Sequence, residues 1–331
     1  MIIVTGGAGF IGSAIVWRLN QLGKDDILVV DNLSTDEKWK NLVPLKFHDY
    51  MEKDEFIGHA TNQRLAAKLR SDREPIEAII HMGACSATTE RDATYLIQNN
   101  FEYTKQLALV AVNEGARFIY ASSAATYGDG SKGFDDDEKS IDQLRPLNMY
   151  GYSKQLFDQW ALRHGMLDRI VGLKYFNVFG PNEYHKAEMR SVVLKAFEQI
   201  KSSGKMQLFK SYKKEYKDGE QVRDFVYVKD AVEMTLFFLE NRNASGIFNI
   251  GSGVANTWNR LALAIFSALA KPPGIDYVEM PETVREKYQY YTCADVSKIR
   301  QAGYSKEMTP LEVAVKDYVQ NYLVGGKRLG E

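Results

Sequence analysis

The chain has 331 residues, 45% of them hydrophobic and 26% charged, enough apolar material for one large core or two modest ones in a folded, soluble protein. Lysine and arginine number 42 against 43 acidic residues, and a net charge of -1 supplies no broad positive field for nucleic acid or an anionic membrane. Two cysteines, Cys85 and Cys293, lack any Cys-x-x-Cys spacing and the five histidines are scattered, so no disulfide framework and no metal site is expected, and the setting is reducing and cytoplasmic.

The opening "MIIVTGGAGF" has no basic n-region, and glycines break its apolar run, so it reads as a buried strand and not as a signal peptide. No stretch approaches the roughly 18 apolar residues that a membrane span needs. Short apolar runs ("IIVT", "ILVV", "AIIHM", "FIYASS") alternate with segments of helical period. This pattern predicts an α/β fold, a Rossmann-type doubly wound parallel sheet. In the first helix Ile15, Val16, Leu19 and Leu22 fall on one face, as a helix covering a sheet requires.

Past residue 170 the alternation continues through "IVGLKYF" and a helix expected from about 188 to 202, then longer polar loops interrupt it. A smaller α/β lobe is predicted there. "DFVYVKDAVEMTLFFLEN" and "GIFNIGSG" look like strand and helix that return to the first domain. The expected organisation is a nucleotide-binding domain over 1–175, joined by returning segments near 222–255, with 176–331 holding the smaller lobe. The charge runs "DDDEK" and "KSYKKEYKDGE" read as solvated loops.

"TGGAGFIGS" places Gly6, Gly9 and Gly12 between the first strand and the first helix. Glycines here permit a tight turn and close approach of a pyrophosphate to the positive end of the helix dipole. Asp31 ends the next strand, where its carboxylate could accept from a ribose hydroxyl. A carboxylate there would repel a 2′-phosphate, which favours NAD. Lys38 and Lys53, in the loops after the second and third strands, are cations that could reach a 2′-phosphate, which favours NADP. Residue physics leaves the two dinucleotides even.

"ASSAATYG" puts Ser122 and Ser123 at a strand end, where open parallel sheets hold their ligands. "MYGYSK" sets Tyr150 and Lys154 four residues apart, on one face of a helix start, with Tyr152 on another. A phenol must lose about three units of pKa, roughly 4 kcal/mol, to act as a base at neutral pH. Lys154 and a positive nicotinamide ring are the expected sources of that bias, with Ser123 orienting a substrate hydroxyl. Arg223, ahead of "DFVYV", could hold a pyrophosphate bidentately or form a structural ion pair. By composition "NEYHKAEM" is a solvated loop.

Taken together, the glycine motif, "SSAATYG", Tyr150-x-x-x-Lys154 and "YFNVFGP" resemble the extended short-chain dehydrogenase/reductases that act on nucleotide sugars. Within that group "VTGGAGFIGS", "VVDNLS", "GACSATTE", "YASSAATYG", "NMYGYSK", "YFNVFGPNEYHK" and "RDFVYVKD" resemble the ADP-glyceromanno-heptose 6-epimerase family over essentially the whole chain. The resemblance implies an isomerase that interconverts the two C6 epimers of an ADP-heptose for the lipopolysaccharide core. It implies tightly held NADP and a homo-oligomer, with a pentamer as the candidate form. For the cofactor it implies Phe10, Ile11, Asp31, Asn32, Lys38, Lys53, Met82, Gly83, Ala84, Cys85, Ser86, Asn99, Lys154, Val178 and Lys186. For the substrate it implies Asn177, Phe209, Lys210, Ser211, Tyr212, Arg223 and Tyr288.

At the family's next two substrate positions stand Glu188 and Lys195, a departure from its usual small or hydroxyl residue and histidine. Tyr150 and Lys186 are implied as the two acid/base groups, because a C6 oxygen that has turned over no longer faces the group used for oxidation. A lysine suits that task if burial lowers its pKa. Two rival readings share the fold, a nucleotide-sugar 4,6-dehydratase and a hexose 4-epimerase; a non-catalytic NADP-sensing protein is a third. Dehydratases resemble one another in an Asp-Glu pair after the hydroxyl residue, and here those places are Ala124 and Ala125.

Overall fold

The computed structural model describes residues 1–61, 75–285 and 288–331. Strands β1 (Ile2–Thr5), β2 (Ile27–Asp31), β3 (Asp49–Glu52), β4 (Ala78–His81), β5 (Arg117–Ser123) and β6 (Val171–Tyr175) pair in parallel with the later β10 (Gly246–Ile250) in one sheet. Its order is β10-β6-β5-β4-β1-β2-β3. Strands β1, β2, β4, β6 and β10 are buried along their whole length, which is why they appear in the sequence as apolar runs without alternation. Successive residues still face opposite sides: Ile2 and Val4 join the core on one face, Ile3 the core on the other.

Helix α1 (Phe10–Gln21) buries Ile15, Val16 and Leu19 against this sheet. Leu22, expected on the same face, lies beyond the helix end and is 45% exposed, because the chain reverses at Gly23 with φ +75°. Helix α2 (Met149–Arg163) starts where the Asn148 side chain accepts from Gly151 N. The helix expected from about 188 begins later, as α3 (Val192–Ser203), where the Ser191 side chain accepts from Leu194 N. Residues Tyr184–Met189 form instead a tight 3-10 turn with Ala187 at φ +45°.

Two smaller sheets complete the fold. Strand β9 (Val222–Tyr227) pairs in parallel with β7 (Asn177–Phe179) and antiparallel with β11 (Ala255–Thr257), while β8 (Met206–Phe209) pairs with β12 (Ile275–Val278). Thus strand 222–227 stays with the smaller sheet, the helical residues 228–240 after it return to pack on α1, β5 and β6, and the chain rejoins the central sheet as a strand at β10, Gly246 opposite Val171. One continuous core holds Val4 and Val29 of the central sheet together with Phe197, Leu261 and Val315 from the later segments. Shared burial of this kind locks the later segments over the strand ends, where the order reverses between β1 and β4. Among the described residues no helix is long and apolar enough to cross a membrane.

Candidate active site

The glycine loop is a cradle that side chains would fill. Gly6 adopts φ +66°, and a Cβ there would lie 2.6 Å from Gly83 N; one on Gly12 would lie 2.0 Å from Gly6 O. Gly9 begins α1 without a side-chain cap, so first-turn N–H groups stay open toward a phosphate. Asp31 shapes the loop from below. Its Oδ2 accepts from Ala8 N at 2.9 Å, and its Oδ1 accepts from Asn32 N at 2.7 Å and from Lys38 Nζ at 2.9 Å.

Two connected cavities run along this loop. One of about 240 Å³ is lined by Gly6, Asp31, Asn32, Lys38, Lys53, Gly83, Ala84, Cys85 and Asn99. The other, about 410 Å³, adds Gly9, Phe10, Ile11, Gly12, Met82, Ser86 and Lys186. The residues present therefore fit a dinucleotide: a groove, a glycine cradle and an open helix end. Lys53 stands at its rim, paired with Asp54 at 2.7 Å. Sequence reasoning missed Thr5, which opens the glycine motif but carries no glycine signal, and Tyr95 and Tyr103, which belong to no motif. It also missed Asn100, which accepts from Cys85 N at 2.8 Å and donates to Cys85 O at 3.0 Å and Ser153 Oγ at 3.0 Å. That buried amide ties the 82–86 segment to α2.

A third cavity, about 390 Å³, brings Ser123, Tyr150, Lys154, Asn177, Val178 and Lys186 together. Tyr150 is hydrogen bonded to Ser123; burial pushes its phenol above the ordinary value, and the Ser123 contact opposes this. The expected pull of Lys154 on that phenol is not among the effects acting on it. Lys154 instead donates to Ala121 O at 2.8 Å, and burial lowers its pKa to about 8 against the pull of Asp158. The neighbouring Ser122 turns to the Asp158 carboxylate at 2.7 Å, which Tyr120 also reaches at 2.9 Å. Tyr152 is 45% exposed.

Lys186 is half-buried, with its ammonium 5.1 Å from the centre of the Phe10 ring. Burial lowers its pKa and the Glu183 carboxylate opposes that. His185 beside it is held down to about 4 by burial.

Arg223 is buried on β9 between the rings of Tyr288 and Trp258, 5.0 and 5.6 Å from their centres. Among the described residues no carboxylate lies within ion-pair distance of it, so the structural ion pair is not formed. Phe209 meets Tyr288 edge-on, with ring centres 6.4 Å apart. Beyond it Lys210 pairs with Glu279 at 2.7 Å, Ser211 N donates to Asp218 at 2.7 Å, and Tyr212 hydrogen bonds Glu279.

Glu188 and Lys195 pair with each other at 3.3 Å, and Glu188 is 95% exposed. Neither lines the cavities, because the 3-10 turn points Glu188 outward. Phe225, Trp258, Leu261 and Met189 do line the third cavity and went unnoticed, as apolar residues carry no chemical signature. Among the described residues no cluster of three or more histidine, cysteine or acidic side chains could hold a metal. Chemically, the cavity offers proton-carrying groups on two elements, Tyr150 on α2 and Lys186 on the 3-10 turn.

The NAD dependent epimerase/dehydratase family matches residues 2–251 of the chain. A protein of Nitratidesulfovibrio vulgaris named ADP-L-glycero-D-manno-heptose-6-epimerase is 55% identical over 323 residues, 98% of each chain. Another of that name, from Fusobacterium nucleatum, is 49% identical over 332 residues, again 98% of each. Among solved structures the chain is similar to the Helicobacter pylori ADP-L-glycero-D-manno-heptose-6-epimerase, with a TM-score of 0.79 and 27% identity, covering 97% of this chain and 95% of that one. It is also similar to the UDP-glucose 4-epimerase of Thermotoga maritima, with a TM-score of 0.75, 27% identity, and coverage of 98% and 99%.

Proposed function

The chain belongs to the NAD dependent epimerase/dehydratase family, and within it to the ADP-L-glycero-D-manno-heptose-6-epimerases, and from that premise we propose how its cavities perform the reaction. It is a nucleotide-sugar epimerase that interconverts ADP-D-glycero-beta-D-manno-heptose and its L-glycero epimer, with supply of the lipopolysaccharide core as its role. A nicotinamide dinucleotide, when bound, supplies removal of hydride from C6 and its return to the opposite face. Gly6, Gly9, Gly12 and the open end of α1 would hold its pyrophosphate, and Asp31 its ribose.

NADP is the form we favour, although the family description names NAD. Lys38 already neutralises Asp31, and Lys53 lines the same cavity, so a 2′-phosphate would meet two cations instead of a bare carboxylate.

Tyr150 takes the C6 hydroxyl proton on one side of the cavity, and Ser123, its hydrogen-bond partner, orients that hydroxyl. Lys154 holds the strand end that carries Ser123 through its bond to Ala121 O. Once the C6 ketone turns, its oxygen faces Lys186, whose ammonium donates the proton. Arg223, a buried cation with no carboxylate partner among the described residues, would meet the substrate pyrophosphate, flanked by Phe209, Tyr288 and the 210–212 segment. The family resemblance supports a homo-oligomer, with a pentamer the form to seek by sedimentation. The free thiols Cys85 and Cys293 suit a reducing cytoplasm.

The observation that carries this reading is that one cavity is lined by both Tyr150 and Lys186, far apart in the chain. The test is to incubate the protein with each ADP-heptose epimer and follow C6 stereochemistry by NMR. Each epimer should yield the same mixture; unchanged C6 stereochemistry would overturn the reading.

A further inference from the structure

We propose that Glu183 is the positioning residue for Lys186: its buried carboxylate clamps the two ends of the 180–191 loop and fixes both the place and the charge of the Lys186 ammonium. This rests on Lys186 being the second acid/base group.

The carboxylate is fully buried. Its Oε1 accepts from Ser191 Oγ at 2.6 Å, from Tyr318 OH at 3.0 Å and from Gly180 N at 3.4 Å, and its Oε2 accepts from Ser191 N at 2.5 Å. Two backbone N–H groups donate to it and the Ser191 and Tyr318 hydroxyls can do so, a set that favours the charged form; burial raises its pKa, and Ser191, Lys186 and Tyr318 oppose that. Gly180 opens the loop and Ser191 closes it at the start of α3. One side chain thus pins both ends to each other and to Tyr318 near the C-terminus.

Between the pins the backbone takes conformations that need support. Asn182 is at φ +79° and Ala187 at φ +45°, neither a glycine. Asn182 is itself buried and tied, donating to Ser13 Oγ at 2.9 Å and accepting from Leu329 N at 3.0 Å. Glu183 O accepts from Lys186 N at 3.1 Å, so the turn that presents the lysine starts from the clamped residue.

The charges around Lys186 single out the same residue. Tyr150 and Lys154 of α2 line the cavity with it, as does Arg190, which bonds Ala187 O and pairs with Glu198. From the glycine-loop side come Asp31, Asp36, Lys38 and Cys85, and His185 stands next in the chain. Burial depresses the Lys186 pKa, and Glu183 is the charge that opposes it. Because the carboxylate is engaged by four donors, it supplies its field without an ion pair, and the ammonium stays free to face the cavity.

The test uses Glu183→Gln, which keeps the shape and removes the charge. Lys186 should then lose its proton at lower pH. The alkaline limb of the epimerisation profile, and the Lys186 ε-CH2 resonance assigned by its loss in Lys186→Ala, should both move down by about one unit. Dinucleotide content should be unchanged. Wild-type titration of Lys186 in this variant would overturn the proposal.

If Glu183→Gln does not fold, Glu183→Asp carries the test, since its shorter stem keeps the charge but cannot reach both pins. A rate at least about tenfold lower with the titration unmoved supports the clamp, and a full rate overturns it. Full activity of Lys186→Ala would instead sink the two-base reading, and the Glu183→Gln titration would remain readable on its own.

Discussion

Lys38 places its ammonium 2.9 Å from Asp31 Oδ1 in the lining of the groove beside the glycine loop, and the pair is largely buried. Removing the lysine leaves a carboxylate facing a 2′-phosphate. Lys38→Ala should therefore weaken NADP binding about tenfold more than NAD binding, the loss expected for a charge-assisted contact. Fluorescence titration of the stripped protein with both dinucleotides checks this; an equal loss for both would remove the case for NADP.

Tyr150 should be required for chemistry and not for holding the cofactor. Tyr150→Phe keeps the ring in its half-buried place on α2 but has no proton to exchange, and the rate should fall by about 10² to 10⁴. Turnover of ADP-heptose measured beside the dinucleotide released on denaturation separates the two effects.

The glycine cradle leaves no room for a methyl group. At Gly12 a Cβ would lie 2.0 Å from the Gly6 carbonyl oxygen, a rigid backbone atom, so the loop or α1 must shift. Gly12→Ala should lose about 1–3 kcal/mol of stability and most of its dinucleotide. Urea denaturation and bound-cofactor absorbance read the two losses.

Arg223 has aromatic neighbours and, among the described residues, no carboxylate within ion-pair distance, so its charge is open to an anionic ligand. Arg223→Ala should raise KM about tenfold or more with a smaller change in kcat, because a pyrophosphate contact is made equally in ground and transition states. Steady-state kinetics on ADP-heptose decides it.

His81 sets part of the acid stability. It is buried between Thr5 and Thr104, and burial lowers its pKa from 6.5 to about 3. The unfolded chain binds a proton that the folded one refuses, so stability falls as pH drops below about 6.5 and goes on falling toward the folded value. By pH 5 this amounts to about 2 kcal/mol. Urea midpoints at pH 7 and pH 5 should show that slope in the wild type and a flatter one in His81→Gln.

Features written over a few consecutive residues were readable directly. The fully buried β1, β2 and β4 are apolar runs, and Tyr150 and Lys154 share a helix face by their spacing alone. Boundaries were less so. Leu22 continues the apolar period of α1 yet lies outside it, because Gly23 turns the chain. The 188–202 helix starts only at Val192, since Glu183 holds Ser191 and the segment before it is bent into a 3-10 turn.

The site divides in the same way. Glu188 and Lys195 looked like substrate positions by alignment with a family pattern, but they are seven residues apart across a turn and a helix start, and they neutralise each other in solvent. Glu183 was passed over inside "NEYHKAEM" because acidity in a polar stretch usually means solvent, and only packing against Ser191 and Tyr318 makes it a buried charge.

The amino-acid sequence by itself determined the doubly wound sheet, the glycine cradle and the Tyr150–Lys154 pair, since each depends on the fixed rise and period of one strand or helix. Tertiary structure alone decided that Lys186 meets Tyr150 in one cavity, that Arg223 lies between two rings, and that Lys38 covers Asp31. Such contacts join distant segments, and their geometry comes from how helices and strands pack around a shared core, which no local spacing encodes.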